Sequence, residues 1–214
     1  VGTLMEETPT LADVIARLGG SSIISNAYLA AMLSVAAGIA AAHGVQAVLR
    51  LHGEETDQHA EIVLAGAVDR RSWVGSHLLF GVMAPVVDMV VFGAAMGLAY
   101  GISTGDATEV LRVAGAAMVY VPASWVMVGL ALLVFAVVPQ RGALGWSALG
   151  AALILTLLGS ALNLDQWLLD LSPFTHSPSV PGGAVRALPL VVLIGLSGSL
   201  AWSGLMAFGH RDLE

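Results

Sequence analysis

Residues 113–138, VAGAAMVYVPASWVMVGLALLVFAVV, contain no acidic or basic side chain. A helix of about 20 apolar residues is long enough to cross the hydrocarbon core of a bilayer, since each residue adds about 1.5 Å along its axis. This stretch exceeds that length, and other long apolar runs stand before and after it. The sequence therefore predicts an all-α integral membrane protein.

The apolar runs divide the chain into a bundle of about five transmembrane helices. The predicted spans are residues 23–49, 74–100, 110–138, 144–162 and 187–208. The 214 residues are 57% hydrophobic and only 11% charged, whereas a soluble domain is about a quarter charged. We expect a transmembrane domain at residues 23–214, preceded by an external amphipathic segment at residues 1–22.

The arginines predict the orientation, because short cytoplasmic loops carry more basic residues than external ones. If segment 50–73 is cytoplasmic, five arginines lie inside (Arg50, Arg70, Arg71, Arg141 and Arg211) and three outside (Arg17, Arg112 and Arg186). This bias places loop 163–186 and the N-terminus outside. An odd number of spans with an external start suggests that a first helix is missing.

Composition excludes several classes of function. The net charge of −7 argues against nucleic acid as a partner, because such binding needs a basic surface. All eight basic residues are arginine, so the chain cannot form the lysine-containing phosphate loop of an ATPase. His52 and His59 lie among carboxylates but lack a tight ligand spacing, and a solvated face is favoured over a metal site.

Small residues recur at four-residue spacing in three spans, where they predict close helix packing. They are Ala30, Ser34, Gly38 and Ala42 in the first span, Gly93, Gly97 and Gly101 in the second, and Gly195, Ser199 and Ser203 in the last.

Asp88 stands near the middle of the second span, one turn after Pro85. A carboxylate at that depth is costly and should face a cavity or a partner. Two interpretations stay open. Asp88 is either a cation or proton site in a transport path, or a protonated acid hydrogen-bonded to a neighbouring helix.

The string GLSG, residues 195–198, matches the G-x-S-G string of rhomboid intramembrane proteases. Such a serine needs a histidine within hydrogen-bond reach on another buried helix. His210 lies at the end of the same helix, and the earlier histidines are assigned to loops or their edges. Ser197 is therefore assigned to a packing face.

Four longer strings resemble the permease subunits of ABC-2 type exporters, and among them the actinobacterial permeases for polyketide antibiotics and other drugs. They are RLHGEETDQHAEIVLAGAVDRRSWVGSHL, VPASWVMVGLALLVFAVVPQ, WLLDLSPFTHSPSVPGG and the terminal GHRDLE. Their order and spacing carry the resemblance, which covers the chain from about Tyr28 onward. Gln58 and His59 depart from a Gly-Arg pair common in that family.

The resemblance implies one half of a two-half permease. It also implies an ATPase dimer that docks on the polar cytoplasmic segment, with the other permease half or a second copy as a further partner. The residues assigned to coupling are Glu54, Glu55, Glu61, Leu64, Arg70 and Trp73. ATP and magnesium would bind to the partner, and no cofactor or metal is expected in this chain.

The function expected from this resemblance is ATP-driven export of hydrophobic or amphipathic molecules, such as antibiotics, across the plasma membrane. The chain would then be a transport subunit rather than an enzyme. The alternative is a proton-coupled secondary transporter in which Asp88 titrates.

Overall fold

Helices form every regular element in the computed structural model, which describes residues 20–56, 70–138 and 143–209. In chain order they are α1 (Gly20–Thr56), α2 (Arg70–Thr104), α3 (Thr108–Met118), α4 (Val121–Val137), α5 (Ala143–Leu158), the short α6 (Gln166–Leu169), a 3-10 turn (Pro173–His176) and α7 (Ala187–Gly209). The predicted all-α fold is confirmed. The amphipathic segment predicted at residues 1–22 lies almost wholly outside the described residues.

Four stretches are long and apolar enough to cross a membrane: Ser22–Leu51, Trp73–Thr104, Thr108–Val137 and Ala187–Gly209. Helix α5 is equally apolar but has 16 residues, fewer than the roughly 20 of a full span. It ends at Leu158, four residues before the predicted limit, and a turn with Asn163 at a φ of 49° follows. The chain is a multi-pass membrane protein.

Helices α1 and α2 extend beyond their apolar spans into the polar segment between them. Helix α1 continues to Thr56, and α2 begins at Arg70. Hydropathy marks the part of a helix that lies in lipid, whereas a helix in water continues as long as its residues permit. The predicted segment 50–73 is therefore partly the ends of two long helices.

The predicted span at residues 110–138 consists of two helices, α3 and α4, rather than one. Between them the amide of Tyr120 donates to the carbonyl of Ala117 at 3.1 Å, the spacing of a 3-10 turn. Pro122 follows in the first turn of α4, where its missing amide hydrogen costs little.

Helix α4 lies at the centre of the bundle and packs against α1, α2, α5 and α7. Most of its 17 residues are buried. Two of its side chains donate hydrogen bonds to the backbone of neighbouring helices: Ser124 to the carbonyl of Ala37 at 3.0 Å, and Trp125 to that of Val82 at 2.9 Å. The other helices are thus arranged around α4.

The glycines of α2 pack closely against a neighbouring helix, as predicted, and that neighbour is α3. A Cβ atom on Gly93 would come within 2.7 Å of the Cβ of Ala117, and one on Gly97 within 2.8 Å of the Cα of Val110. Both distances are too short for real side chains, so glycine is required where these two backbones approach each other.

The small-residue stripe predicted on α7 is wrong as a packing face within the described chain. A Cβ atom on Gly195 would meet no atom within 4 Å, and Ser199 and Ser203 are exposed. The contact with α4 lies on the adjacent face, where a Cβ on Gly129 would stand 3.0 Å from the carbonyl oxygen of Ser197. Spacing identified small residues on α7 but not which of them point inward.

The bundle has two ends, which are named here after the segments that they carry. The loop end carries residues 163–186 and is predicted to be external. The coupling end, where α1 ends and α2 begins, is predicted to be cytoplasmic, and its core is an apolar cluster that includes Leu51, Trp73, Phe135 and Phe208.

Candidate transport site and coupling region

Asp88 of α2 faces a histidine of α1. The Nδ1 atom of His43 lies 2.9 Å from the Oδ2 atom of Asp88. An imidazole N–H donates to an ionised carboxylate, and a protonated carboxyl group would donate to the imidazole, so one proton joins the two groups in either case. Both residues lie inside candidate membrane spans.

Two glycines beside the pair let α1 and α2 approach closely enough for this contact. A Cβ atom on Gly44 would lie 2.7 Å from the carbonyl oxygen of Gly81, and one on Gly81 would lie 3.2 Å from that of Gly44. Any larger residue would push the helices apart. His43 precedes the first of these glycines directly, so the helix crossing determines the distance to Asp88.

The turn before Asp88 is held from the centre of the bundle. Pro85 withholds the amide donor that an α-helix directs to the carbonyl of Gly81. At the next carbonyl, that of Val82, the indole nitrogen of Trp125 donates a hydrogen bond of 2.9 Å. The central helix therefore supports the turn that Pro85 disturbs, just before Asp88. The contact with His43 gives Asp88 a partner on another helix and is compatible with both open interpretations.

A groove of about 400 Å³ opens beside the His43–Asp88 pair on the outer face of α1 and α2. Its polar groups are the imidazole of His43, the carboxyl of Asp88 and the guanidinium of Arg50, and its apolar wall includes Phe80 and Met83. Asp88 also borders a second groove of about 350 Å³, whose other lining residues are apolar. Such a mixed surface can bind the polar head and the apolar body of one molecule.

The exposure of the pair is unusual for its depth. The side chain of His43 is 56% exposed and that of Asp88 34%. Polar groups in contact with hydrocarbon are strongly disfavoured, and ionisable residues in spans almost always face a bundle interior or a water-filled cavity. This face of α1 and α2 is therefore unsuited to direct contact with lipid tails.

The residues assigned to coupling lie at the ends of the same two helices or between them. Glu54 and Glu55 belong to the last turn of α1, and Arg70 is the first residue of α2. Glu61 and Leu64 lie outside the described residues. The backbone thus brings Glu54, Glu55 and Arg70 to the coupling end, and their part in coupling stays a prediction.

Trp73 is the one member of the predicted coupling set whose side chain is described, and it is buried. Its ring centroid lies 6.1 Å from that of Phe208 and 5.7 Å from that of His77. Phe208 in turn stacks on Phe135 at 6.0 Å. Trp73 therefore anchors the start of α2 to α4 and α7, and it is not placed for direct contact with a partner.

Comparison with known proteins identifies the family of this chain. The family model "Multidrug efflux system permease Rv1217c, C-terminal domain" matches residues 1–209. The chain belongs to this family. It is also 37% identical over 215 positions to "Multidrug efflux system permease protein Rv1217c" of Mycobacterium tuberculosis (strain ATCC 25618 / H37Rv).

That alignment covers 100% of this chain and 39% of the relative, so the chain spans about two fifths of the length of that permease. The family match is to a C-terminal domain. Both findings fit the resemblance to the C-terminal half of an ABC-2 type permease. They do not favour the alternative of a proton-coupled carrier.

Sequence reasoning missed His43, although it names Asp88. The histidines before Ser197 were expected in or near loops, and this was wrong for His43, which lies within α1. The available signal was a second ionisable side chain inside a predicted span, since such residues tend to pair with one another. Ser197 itself donates to the carbonyl of Ile194 at 2.9 Å, as expected for a packing residue.

No group of three or more potential metal ligands occurs among the residues that the structure describes. The histidine and carboxylate cluster considered at residues 52–61 falls on side chains outside that description.

Proposed function

We propose that this chain is the C-terminal half of the permease of an ABC-2 type exporter, located in the plasma membrane. An ATPase dimer that binds ATP and magnesium would dock on the coupling segment. Its conformational cycle would then move hydrophobic or amphipathic small molecules outward. The family match to a multidrug efflux permease supports this proposal.

The structural observation that carries the proposal is the continuity of α1 and α2. Each runs as one helix of 37 and 35 residues, respectively, from the polar segment through the His43–Asp88 pair to the loop end. The two helices contact each other extensively and cross at Gly44 and Gly81. A displacement at the coupling end would therefore reach the His43–Asp88 pair through the two packed helices.

The exposed position of the pair supports the other permease half as a partner. A half-exposed pair of hydrogen-bonded polar groups in a span needs a polar or protein environment. The relative is much longer than this chain, so further permease segments are available in a protein of that length. We infer that the face bearing His43 and Asp88 turns toward that half, where the two grooves would line the transport path.

The first experiment asks whether an ATPase binds to the coupling segment. The intact permease would be purified with a photocrosslinker at Gln58 or at His59. The expected product is a crosslink to a co-purifying ATPase. Crosslinks only to lipid, or only within the permease, would contradict the proposal.

A charge-deletion pair then tests coupling itself. Glu61→Ala combined with Arg70→Ala should reduce ATP-driven export several-fold without lowering membrane insertion, because rim charges orient a partner more than they bind it. The matched control deletes one acid and one arginine at the loop end, Asp165→Ala with Arg186→Ala, both exposed. Equal losses in the two double variants would show that the coupling segment has no special role.

A further inference from the structure

A further cavity, separate from the two grooves, lies at the loop end, away from the His43–Asp88 pair. It is partly open, has a volume of about 630 Å³ and is bordered by the first turns of α1, the last turn of α5, the junction of α3 and α4, and the loop around residues 174–183. Membrane helices form one side and the loop forms the other. Its size is within the range of small-molecule sites, about 300–1,000 Å³.

The lining of this cavity is polar but uncharged. Apart from Tyr120, its polar side chains are Asn26, Ser34, Thr156, Thr175, Ser177 and Ser179. Of the described residues that line it, none is acidic or basic. The Thr156 and Thr175 hydroxyls already donate to backbone carbonyls and can accept from a ligand, so the lining complements a molecule with several hydroxyl groups and no net charge. Ile23, Ala27 and Ala31 supply an apolar border toward the membrane.

Ser177 lines the cavity with a hydroxyl that a ligand can pair once the side chain rotates about its Cα–Cβ bond. Its Oγ atom is buried and has no hydrogen-bond partner among the residues that the structure describes. Leaving a buried hydroxyl unpaired costs about 1–3 kcal/mol. Its three serine and threonine neighbours on the loop and α5 are not in this condition: Ser172, Thr156 and Thr175 all make hydrogen bonds.

The loop wall of the cavity is fixed in place before any ligand arrives. The Tyr120 hydroxyl donates to the carbonyl of Val180 at 3.0 Å, and the Ser172 hydroxyl donates to that of Ala152 at 3.0 Å. Gly182 has a φ of 120°, and a Cβ there would lie 3.0 Å from the Cβ of Asn26. Glycine thus lets the loop backbone touch α1. A preformed wall lowers the ordering cost of binding.

We propose that this cavity binds an uncharged amphiphile with a hydroxyl-rich head, such as a sugar, and that the head accepts or donates at Ser177. The apolar border places the tail of the molecule toward α1 and the membrane. As a last station on an export path the site rests on the proposed function. As a binding site it does not, because equilibrium binding needs neither ATP nor a partner.

The test uses the intact permease in phosphatidylcholine nanodiscs without ATP. Three photoactivatable probes share one alkyl chain and carry a glucoside, a trimethylammonium or a sulfate head. The glucoside should label peptides that contain Asn26 or Ser177 at least fivefold more than the two charged probes do. Labelling by the glucoside probe should fall when unlabelled dodecyl glucoside or unlabelled methyl glucoside is added. If methyl glucoside alone reduces the labelling, the ligand is a soluble sugar rather than a membrane amphiphile.

Variants connect the labelling to the cavity. Ser177→Leu should lower glucoside labelling about tenfold, the effect of losing one well-made hydrogen bond together with part of the space. Ala31→Phe, at an exposed lining position, should do the same without touching the loop. Ser160→Leu is the control, because Ser160 is exposed at the same end and does not line the cavity.

A change of specificity sharpens the result. Ser179→Asp places a carboxylate in the lining and should shift the preference from the glucoside to the trimethylammonium probe. Equal labelling by all three heads, or labelling that neither Ser177→Leu nor Ala31→Phe reduces, would overturn the proposal. A wild-type permease that shows normal glucoside labelling but no ATP-driven export would count against the proposed function and leave this site standing.

Discussion

Apolar side chains pack at both ends of the bundle, but hydrogen bonds between separate segments add to that packing at the loop end. At the loop end, the Tyr120 hydroxyl donates to the loop carbonyl of Val180, and the Arg112 guanidinium of α3 donates to the Asn26 carboxamide of α1 at 3.1 Å. At the coupling end, aromatic and aliphatic side chains pack together, with Phe135 and Phe208 stacked. The His43–Asp88 pair lies between the two ends.

The difference matters for how motion could pass along the molecule. Packed side chains in contact cannot slide without creating voids, so a cluster that joins α1, α2, α4 and α7 moves as one unit. Hydrogen bonds at the loop end instead fix single points of the loop to the helices, with the acceptor on the loop at Val180 and on α5 at Ala152. The coupling end is therefore suited to receive a displacement, and the loop end is suited to maintain the shape of a cavity.

Removing a ring from the packed end should have the largest effect. Phe135→Ala deletes a fully buried side chain and should lower the free energy of unfolding by about 3 kcal/mol. Trp202→Ala removes a ring that is 64% exposed, and we expect a change close to zero. Chemical unfolding of the purified protein in detergent measures both.

The same two variants test whether the ends are independent. Hydrogen exchange in residues 173–183 should stay unchanged in Phe135→Ala, because its stacking partner and neighbours lie at the other end. Exchange that rises equally at both ends would mean that a single cooperative core spans the bundle.

Substitution in the His43–Asp88 pair, between the two ends, should have the next largest effect, which is measured on ATP-driven export. Asp88→Leu removes the partner of His43 and should lower ATP-driven export roughly fivefold, the factor that about 1 kcal/mol makes. Asp88→Asn keeps an acceptor at 2.9 Å from the imidazole and should retain most export. Transport into vesicles, measured separately with ATP and with an imposed pH gradient, checks this.

Asp165→Leu, an exposed acid at the loop end, is the matched control for Asp88→Leu. An Asp88→Asn variant that folds but transports nothing, beside a wild type that runs on the gradient without ATP, would reverse the assignment in favour of a proton-coupled carrier.

Sequence patterns predicted much of this fold, since bilayer thickness imposes a length on each span. The helices at the first, second and last predicted spans are present, and Gly93 and Gly97 pack as expected. Patterns failed where a local feature interrupts a span: the turn at Tyr120 before Pro122 is invisible to hydropathy, because both sides of it are apolar. Patterns also failed at Gly195, which points away from the bundle, because its direction depends on which face of α7 packs against α4.

The candidate sites were predicted less completely. A carboxylate in a span is conspicuous, so Asp88 was named, but its partner lies 45 positions away and depends on the crossing at Gly44. The cavity at the loop end has no sequence signal at all. Ordinary serines and threonines become a lining only when loop 163–186 folds back on α1 and α5.

At the hydrogen-bonded end, Tyr120→Phe should have a smaller and local effect. It removes the hydroxyl that donates to Val180 at 3.0 Å and leaves that carbonyl without this donor. We expect a loss of about 1 kcal/mol, seen as faster hydrogen exchange in residues 173–183 with unchanged exchange around Phe135. Tyr28→Phe is the control, since Tyr28 is 61% exposed.

A loss that spreads to the aromatic cluster, or one that Tyr28→Phe reproduces, would contradict the assignment of Tyr120 as the fastener of the loop.

The smallest effect is expected at Asp106, in the turn between α2 and α3 outside both spans. One of its carboxylate oxygens accepts from the Thr108 hydroxyl at 2.7 Å and from the Thr108 amide at 2.9 Å. The first of these hydrogen bonds, then the second, holds the pKa of Asp106 below its ordinary value of 3.8.

A carboxyl group whose pKa is lower in the folded state stabilises the fold fully above the unfolded value. That contribution is lost as the pH falls through the folded value, so the first turn of α3 should be unaffected by pH between 5 and 8. Below a pH of about 3.8, the protection of the Thr108 amide against exchange, corrected for the intrinsic rate, should fall in the wild type and stay flat in Asp106→Asn. A fall that begins near neutral pH would assign the sensitivity to another group, and equal falls in both proteins would remove Asp106 from this end's set of fastening contacts.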